Sequence, residues 1–142
     1  MNDYLRRIHL IVGAAGLLAF VLTGQFMHWE LDHLRGMADG PRLFYRTTHI
    51  YLMWSSALNL ALGLFLVRPP GGARRLAQTA SSIAVLAGPI LICASFFLET
   101  YSPGLERPMS RYANLLAFAG MAGFFVTGLP ARRSRPDSQE PV

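Results

Sequence analysis

Apolar positions in this chain fall into four long runs separated by short polar segments. Residues 8–26, 48–67, 76–98 and 112–129 contain no Asp, Glu, Lys or Arg. A helix needs about 20 mostly apolar residues to cross a hydrocarbon core of about 30 Å, and each run has roughly that length. The pattern predicts four membrane-spanning helices, over about 5–27, 45–67, 75–98 and 110–129. The fold class expected is all-α: an integral membrane four-helix up-down bundle in one domain, 1–130. The remaining residues, 131–142, are polar and proline-containing and are expected to form a disordered cytoplasmic tail.

Within the runs, polar residues recur at helical spacing. The third shows a stripe of Gln78, Ser81, Val85, Gly88, Ile92, Ser95 and Glu99, whose three- and four-residue steps keep it on one face. The second shows His49, Ser56, Asn59 and Gly63. Polar groups are expensive in lipid, so these stripes should turn inward and bond across helices. Small residues form further stripes: Ala80, Ala84 and Gly88; Ala57 and Ala61; Ala113 and Ala117. Such faces let backbones approach closely. Gly88-Pro89 predicts a kink in the third helix. A faint internal echo links Arg46-x-x-His49 and Gly63-Leu64 to Arg111-x-x-Asn114 and Gly128-Leu129, as two duplicated hairpins would.

Charge sets the orientation. Only 15% of the 142 residues are charged, where a soluble domain carries about a quarter. Arg6, Arg7, Arg68, Arg74, Arg75, Arg132, Arg133 and Arg135 fall on one side of a four-helix path. Arg35, Arg42, Arg46, Arg107 and Arg111 fall on the other, where Glu30, Asp32, Asp39, Glu99 and Glu106 balance them. Retention of arginine on the cytoplasmic side places both termini inside, in a bacterial inner membrane. The net charge of +5 is then a matter of orientation, and no nucleic-acid partner is expected. Trp29, Phe44, Tyr45, Tyr51, Tyr101 and Tyr112 gather at the outer helix ends, as interfacial rings do. Arg6 and Arg7 before an apolar core resemble a signal peptide, but no small-x-small cleavage site follows, so a retained first helix is expected. Cys93 is the only cysteine, which rules out an internal disulfide and a paired-cysteine metal motif.

Candidate chemistry collects at the outer, periplasmic end. In an up-down bundle Gln25, His28, Arg46, His49, Glu99, Arg111 and Asn114 share one depth and can meet. Three uses fit that set. His28 and His49 can ligate a b-type haem from both faces. His28, His33, His49, Glu99 or Met27 can bind a copper or zinc ion. Arg46 and Arg111 can hold an anionic headgroup or a quinone oxygen. The plainer alternative is an interfacial network with no ligand. His28-Trp29-Glu30-Leu31-Asp32-His33 lacks the HExxH zinc spacing, and histidines five apart diverge around a helix. His9, at the inner end, has no histidine opposite it. No nucleophile–base pair, phosphate loop or carboxylate pair stands out, so no cofactor and no catalytic residue is expected.

The stretch YRTTHIYLMWSSALNLALGLFL, with LLAFVLTGQFMH before it and FFLETYSPGLERPMSRY after it, resembles a family of small bacterial four-helix inner-membrane proteins. The resemblance covers residues 4 to 129 and emphasises Arg46, His49, Glu99 and Arg111. It implies fold and location; the family carries no assigned activity. The function expected is that of a small non-enzymatic membrane protein, an accessory or partner-binding subunit, with the lipid bilayer and a membrane-protein partner or a second copy as its contacts. The alternative is a haem- or metal-binding redox protein that uses the outer histidines.

Overall fold

The computed structural model describes residues 2–66, 71–99 and 106–128. It is all-α over those residues: α1 (Asn2–Trp29), a short 3-10 turn (Asp32–Leu34), α2 (Asp39–Phe65), α3 (Gly72–Leu98) and α4 (Pro108–Gly128). Arg68, Tyr101, Leu129 and the tail at 131–142 lie outside the described residues.

The helices are longer than the apolar runs predicted, and the reason lies in their first turns. α2 starts at Asp39 and takes in Gly40 and Pro41, which read as breakers in sequence. The first four N–H groups of a helix have no intrahelical acceptor, so a proline there forfeits nothing. Arg42 steadies this start by donating to the Met37 carbonyl at 2.6 Å. α4 likewise begins on Pro108, whose fixed φ suits a first helical position.

Two tight hairpins make the body. In the first, Gly13 lies against Leu60 and Gly63 against Leu10; Cβ atoms built there would sit 2.8 and 2.6 Å from leucine side chains. Gly16 meets Ser56. Early positions of α1 thus pair with late positions of α2. In the second hairpin, Gly120 and Gly123 of α4 close on Val85 and Ser81 of α3. α2 and α3 join the hairpins along a central seam. Arg6 adds an end-clasp by donating to the Gly63 and Leu64 carbonyls, which α2 leaves unpaired at its C-terminus.

The distribution of polarity is inverted relative to a water-soluble domain. The interior holds His9, Thr23, Thr48, Ser55, Ser56, Asn59, Gln78, Ser82 and Ser95 alongside Leu52, Val85, Ile92, Ala113 and Ala117. The exterior carries Ile11, Leu18, Leu64, Phe65, Ile83, Ile90, Phe118 and Phe125. The α3 stripe is buried from Gln78 through Ser95, and Ser56, Asn59 and Gly63 of α2 are buried as well. The small-residue stripes fare unevenly. Ala113, Ala117 and Gly88 are inside, but Ala57, Ala61 and Ala80 face outward. On α2 the serines and Asn59 take the inner face, where Asn59 bonds His9 of α1 and the Val85 carbonyl of α3.

Two helices, over Tyr4–Trp29 and Gly72–Leu98, are long and apolar enough by themselves to cross a membrane. α2 is the least apolar of the four, and it carries the buried Ser55, Ser56 and Asn59.

Candidate functional site

Asn59 makes three side-chain hydrogen bonds, and one of them answers a proline on another helix. Pro89 has no N–H, so the Val85 carbonyl, four residues earlier in α3, lacks its helical donor. Asn59 Nδ2 of α2 supplies one at 3.0 Å. The same amide group donates to the Ser55 carbonyl at 2.9 Å. Both amide hydrogens are then used, so Oδ1 accepts from His9 Nδ1 at 2.8 Å. That fixes the His9 tautomer: Nδ1 carries the proton and Nε2 the lone pair. His9 is fully buried, its Nε2 has no hydrogen-bond partner among the described residues, and Phe124 of α4 lies edge-on to the ring at 6.4 Å. One amide thus ties α1, α2 and α3 at one level. His9 lacks an opposing histidine, as the sequence indicates, but its partner is an asparagine.

At the outer end the expected cluster divides into two groups on different sides of the bundle. Glu99, Asn114 and Arg111 belong to α3 and α4. Glu99 ends α3 and caps α4: its oxygens accept from the Met109 N–H at 2.5 Å, the Ser110 N–H at 3.2 Å and the Ser110 hydroxyl at 2.6 Å. A carboxylate at a helix N-terminus satisfies free donors and meets the positive end of the dipole. The polar stripe therefore ends on a helix cap. The arginine and His49 that the sequence suggested as partners of Glu99 are not on it. Ser110 also bonds Ser95 at 3.0 Å. Asn114 donates back to the Ser110 carbonyl, and exposed Arg111 borders a cleft of about 660 Å³ with Tyr51, Arg107 and Asn114. Arg107 reaches from the start of α4 to the Thr47 hydroxyl at 2.9 Å and lies over the Phe44 ring. Replacing Glu99 by Ala should lower stability by about 0.5–2 kcal/mol, the usual range for a lost cap. Urea or SDS titration in detergent measures it; an unchanged midpoint would show that water caps α4 equally well.

His28, His33, Arg46 and His49 belong to the α1–α2 side. They line one recess of about 360 Å³ with Gly24, Met27, Leu34 and Ile50. Gln25 is exposed and does not line that recess. His49 lies flat on Phe20, ring centroids 4.1 Å apart, and its Nδ1 is 2.9 Å from Thr23 Oγ1. The Thr23 hydroxyl spends its hydrogen on the Phe20 carbonyl, so His49 Nδ1–H donates and Nε2 keeps the lone pair. Gly24 makes room for that ring: a Cβ there would sit 3.2 Å from Cε1. His28 and His49 thus share a recess, but each ring is oriented by a different neighbour.

The histidines five apart do meet, contrary to the divergence expected of a helix. α1 stops at Trp29, and Asp32, His33 and Leu34 follow with φ of 41°, 56° and 63°. Three consecutive non-glycine residues in the left-handed region fold the chain back on itself. His33 Nδ1 comes within 3.1 Å of His28 Nδ1, and the rings stand edge to face. Buried Leu34 anchors the turn. Among the described residues no three His, Cys, Asp or Glu side chains already stand together as a metal-binding group.

Compared with protein-family models, with curated proteins and with solved structures, the chain matches none.

Proposed function

We propose that this is a small multi-pass protein of a bacterial inner membrane, non-enzymatic, that serves as an accessory subunit to a membrane partner. The observation that carries the reading is the inverted polarity. Serines, threonines, His9, Asn59 and Gln78 are inside, and large apolar side chains cover the outside of every helix. In water that surface would aggregate; in lipid it is solvated, and the inward hydroxyls and amides act as interhelical bonds. On this reading α2 and α4 also span, because Asn59 of α2 turns toward α1 and α3, and Ser110 of α4 toward α3, and not toward the lipid. The four spans run up and down, and the arginine asymmetry sets both termini in the cytoplasm.

The accessory role draws on one surface. α1 touches α3 only lightly. Between them lies an apolar groove of about 460 Å³, lined by Val12, Ala15, Ala19, Pro89, Ile90 and Phe97 among others. Its small residues admit a close approach by a further helix.

Reporter fusions test the topology. Fusions after Val67 and Val142 should read as cytoplasmic, and one after Asp39 as periplasmic. A cytoplasmic Asp39 fusion would overturn the assignment. A visible spectrum of the purified protein separates the function classes: a Soret band would replace the accessory reading with haem binding, and a colourless protein agrees with it.

A further inference from the structure

We propose that the turn after α1 builds a copper(I) site from the Nδ1 atoms of His28 and His33 and the thioether of Met27. The inference does not depend on the accessory role, because it rests on local geometry alone.

The first support is convergence. The two Nδ1 atoms are 3.1 Å apart, and both imidazoles line the recess that also contains Met27. A metal holding nitrogens at ~2.0–2.1 Å with tetrahedral angles sets them roughly 3.3 Å apart. The pair therefore needs to open only slightly to admit an ion. Both rings are exposed, so an ion can reach them.

The second support is the backbone. An ordinary side chain at φ near +60° is disfavoured, and Asp32, His33 and Leu34 all hold such values. Such strain persists where the surroundings impose it. Here it turns His33 back on His28, an approach that continued helix would prevent. The present bond between the imidazoles uses one Nδ1–H. On metal binding that proton moves to Nε2, so both ligands enter neutral and none is lost to solvent.

The choice of ion follows from the other lining groups. A thioether favours soft copper(I) over zinc(II). Arg46 borders the same recess, and its positive charge opposes a divalent ion about twice as strongly as a monovalent one. Glu99 is engaged in capping α4 and supplies no compensating charge.

The experiment is an anaerobic titration of the full-length protein in detergent with copper(I), against a chromophoric copper(I) chelator, with zinc(II) run in parallel against a zinc indicator. The expected result is one copper(I) per chain, held more tightly than zinc. His28→Asn and His33→Asn should each weaken binding at least about 100-fold, beyond the 10–100-fold typical of losing a supporting outer group. Met27→Leu should weaken copper(I) and leave zinc unchanged. Since the two histidines are exposed, thermal melting of the variants should match the wild type, which separates ligand loss from unfolding. Copper(I) binding that survives the double histidine variant, wild-type protein that does not compete with the chelator, or zinc held as tightly as copper would each overturn the proposal.

Discussion

Asn59→Leu is expected to cost about 2–4 kcal/mol of stability, although leucine is the more apolar side chain and the site is buried. The substitution strands two groups. The Val85 carbonyl loses the donor that replaces the proline's missing N–H, and the His9 Nδ1–H loses its acceptor. Each buried unsatisfied group costs about 1–3 kcal/mol. Hydrogen bonds in membrane proteins average nearer 0.6 kcal/mol in coupling, which lowers the estimate without removing it. SDS titration of the folded protein measures the change. A double variant, His9→Phe with Asn59→Leu, should lose less than the two single changes combined, because one stranded group goes with the imidazole. An Asn59→Leu protein within about 0.5 kcal/mol of wild type would mean that the three-helix tie contributes nothing.

Gly120→Ala and Gly88→Ala should differ in sign. A Cβ at Gly120 would lie 2.6 Å from Val85 Cγ2 and 2.7 Å from the Ser81 carbonyl oxygen. The valine can rotate, but the backbone oxygen cannot, so α3 and α4 must separate. Overpacking of that kind costs about 1–3 kcal/mol. At Gly88 the nearest atoms, on Ser55 and Ala117, are 3.5 and 3.6 Å away, which is ordinary contact. Alanine there gains up to about 1 kcal/mol of helix propensity, whereas Gly88→Leu, too long for that space, should destabilise. Thermal unfolding in detergent compares the three. Equal effects of the two alanines would place the α3–α4 seam elsewhere.

Much of this architecture was legible because apolar periodicity reports which face is solvated. The α3 stripe from Gln78 to Ser95 needed nothing beyond its spacing, and the four helices needed only the runs. Ala57, Ala61 and Ala80 misled where Ala113 and Ala117 did not, since a methyl has little preference between faces; glycine, whose missing Cβ permits backbone contact, marked the seams better. Position along a helix is legible in the sequence, but it does not fix azimuth. Glu99 and His49 therefore landed on opposite hairpins. The His28–His33 contact was illegible for another reason: helical spacing ceases to apply where a helix ends. The proline's freed carbonyl can be inferred from Pro89 alone, but the donor that answers it cannot, because any of several polar neighbours could have faced it.

That carbonyl bears on how the chain assembles. On the membrane reading proposed above, a helix alone in lipid must satisfy its own backbone, and α3 cannot. Without Asn59 of α2 alongside, the Val85 oxygen has one bond fewer than its neighbours. Each hairpin closes on its glycines, but the second leaves the Val85 carbonyl to be met by the first. Pro89 therefore makes the bonding of α3 complete only where the two hairpins meet.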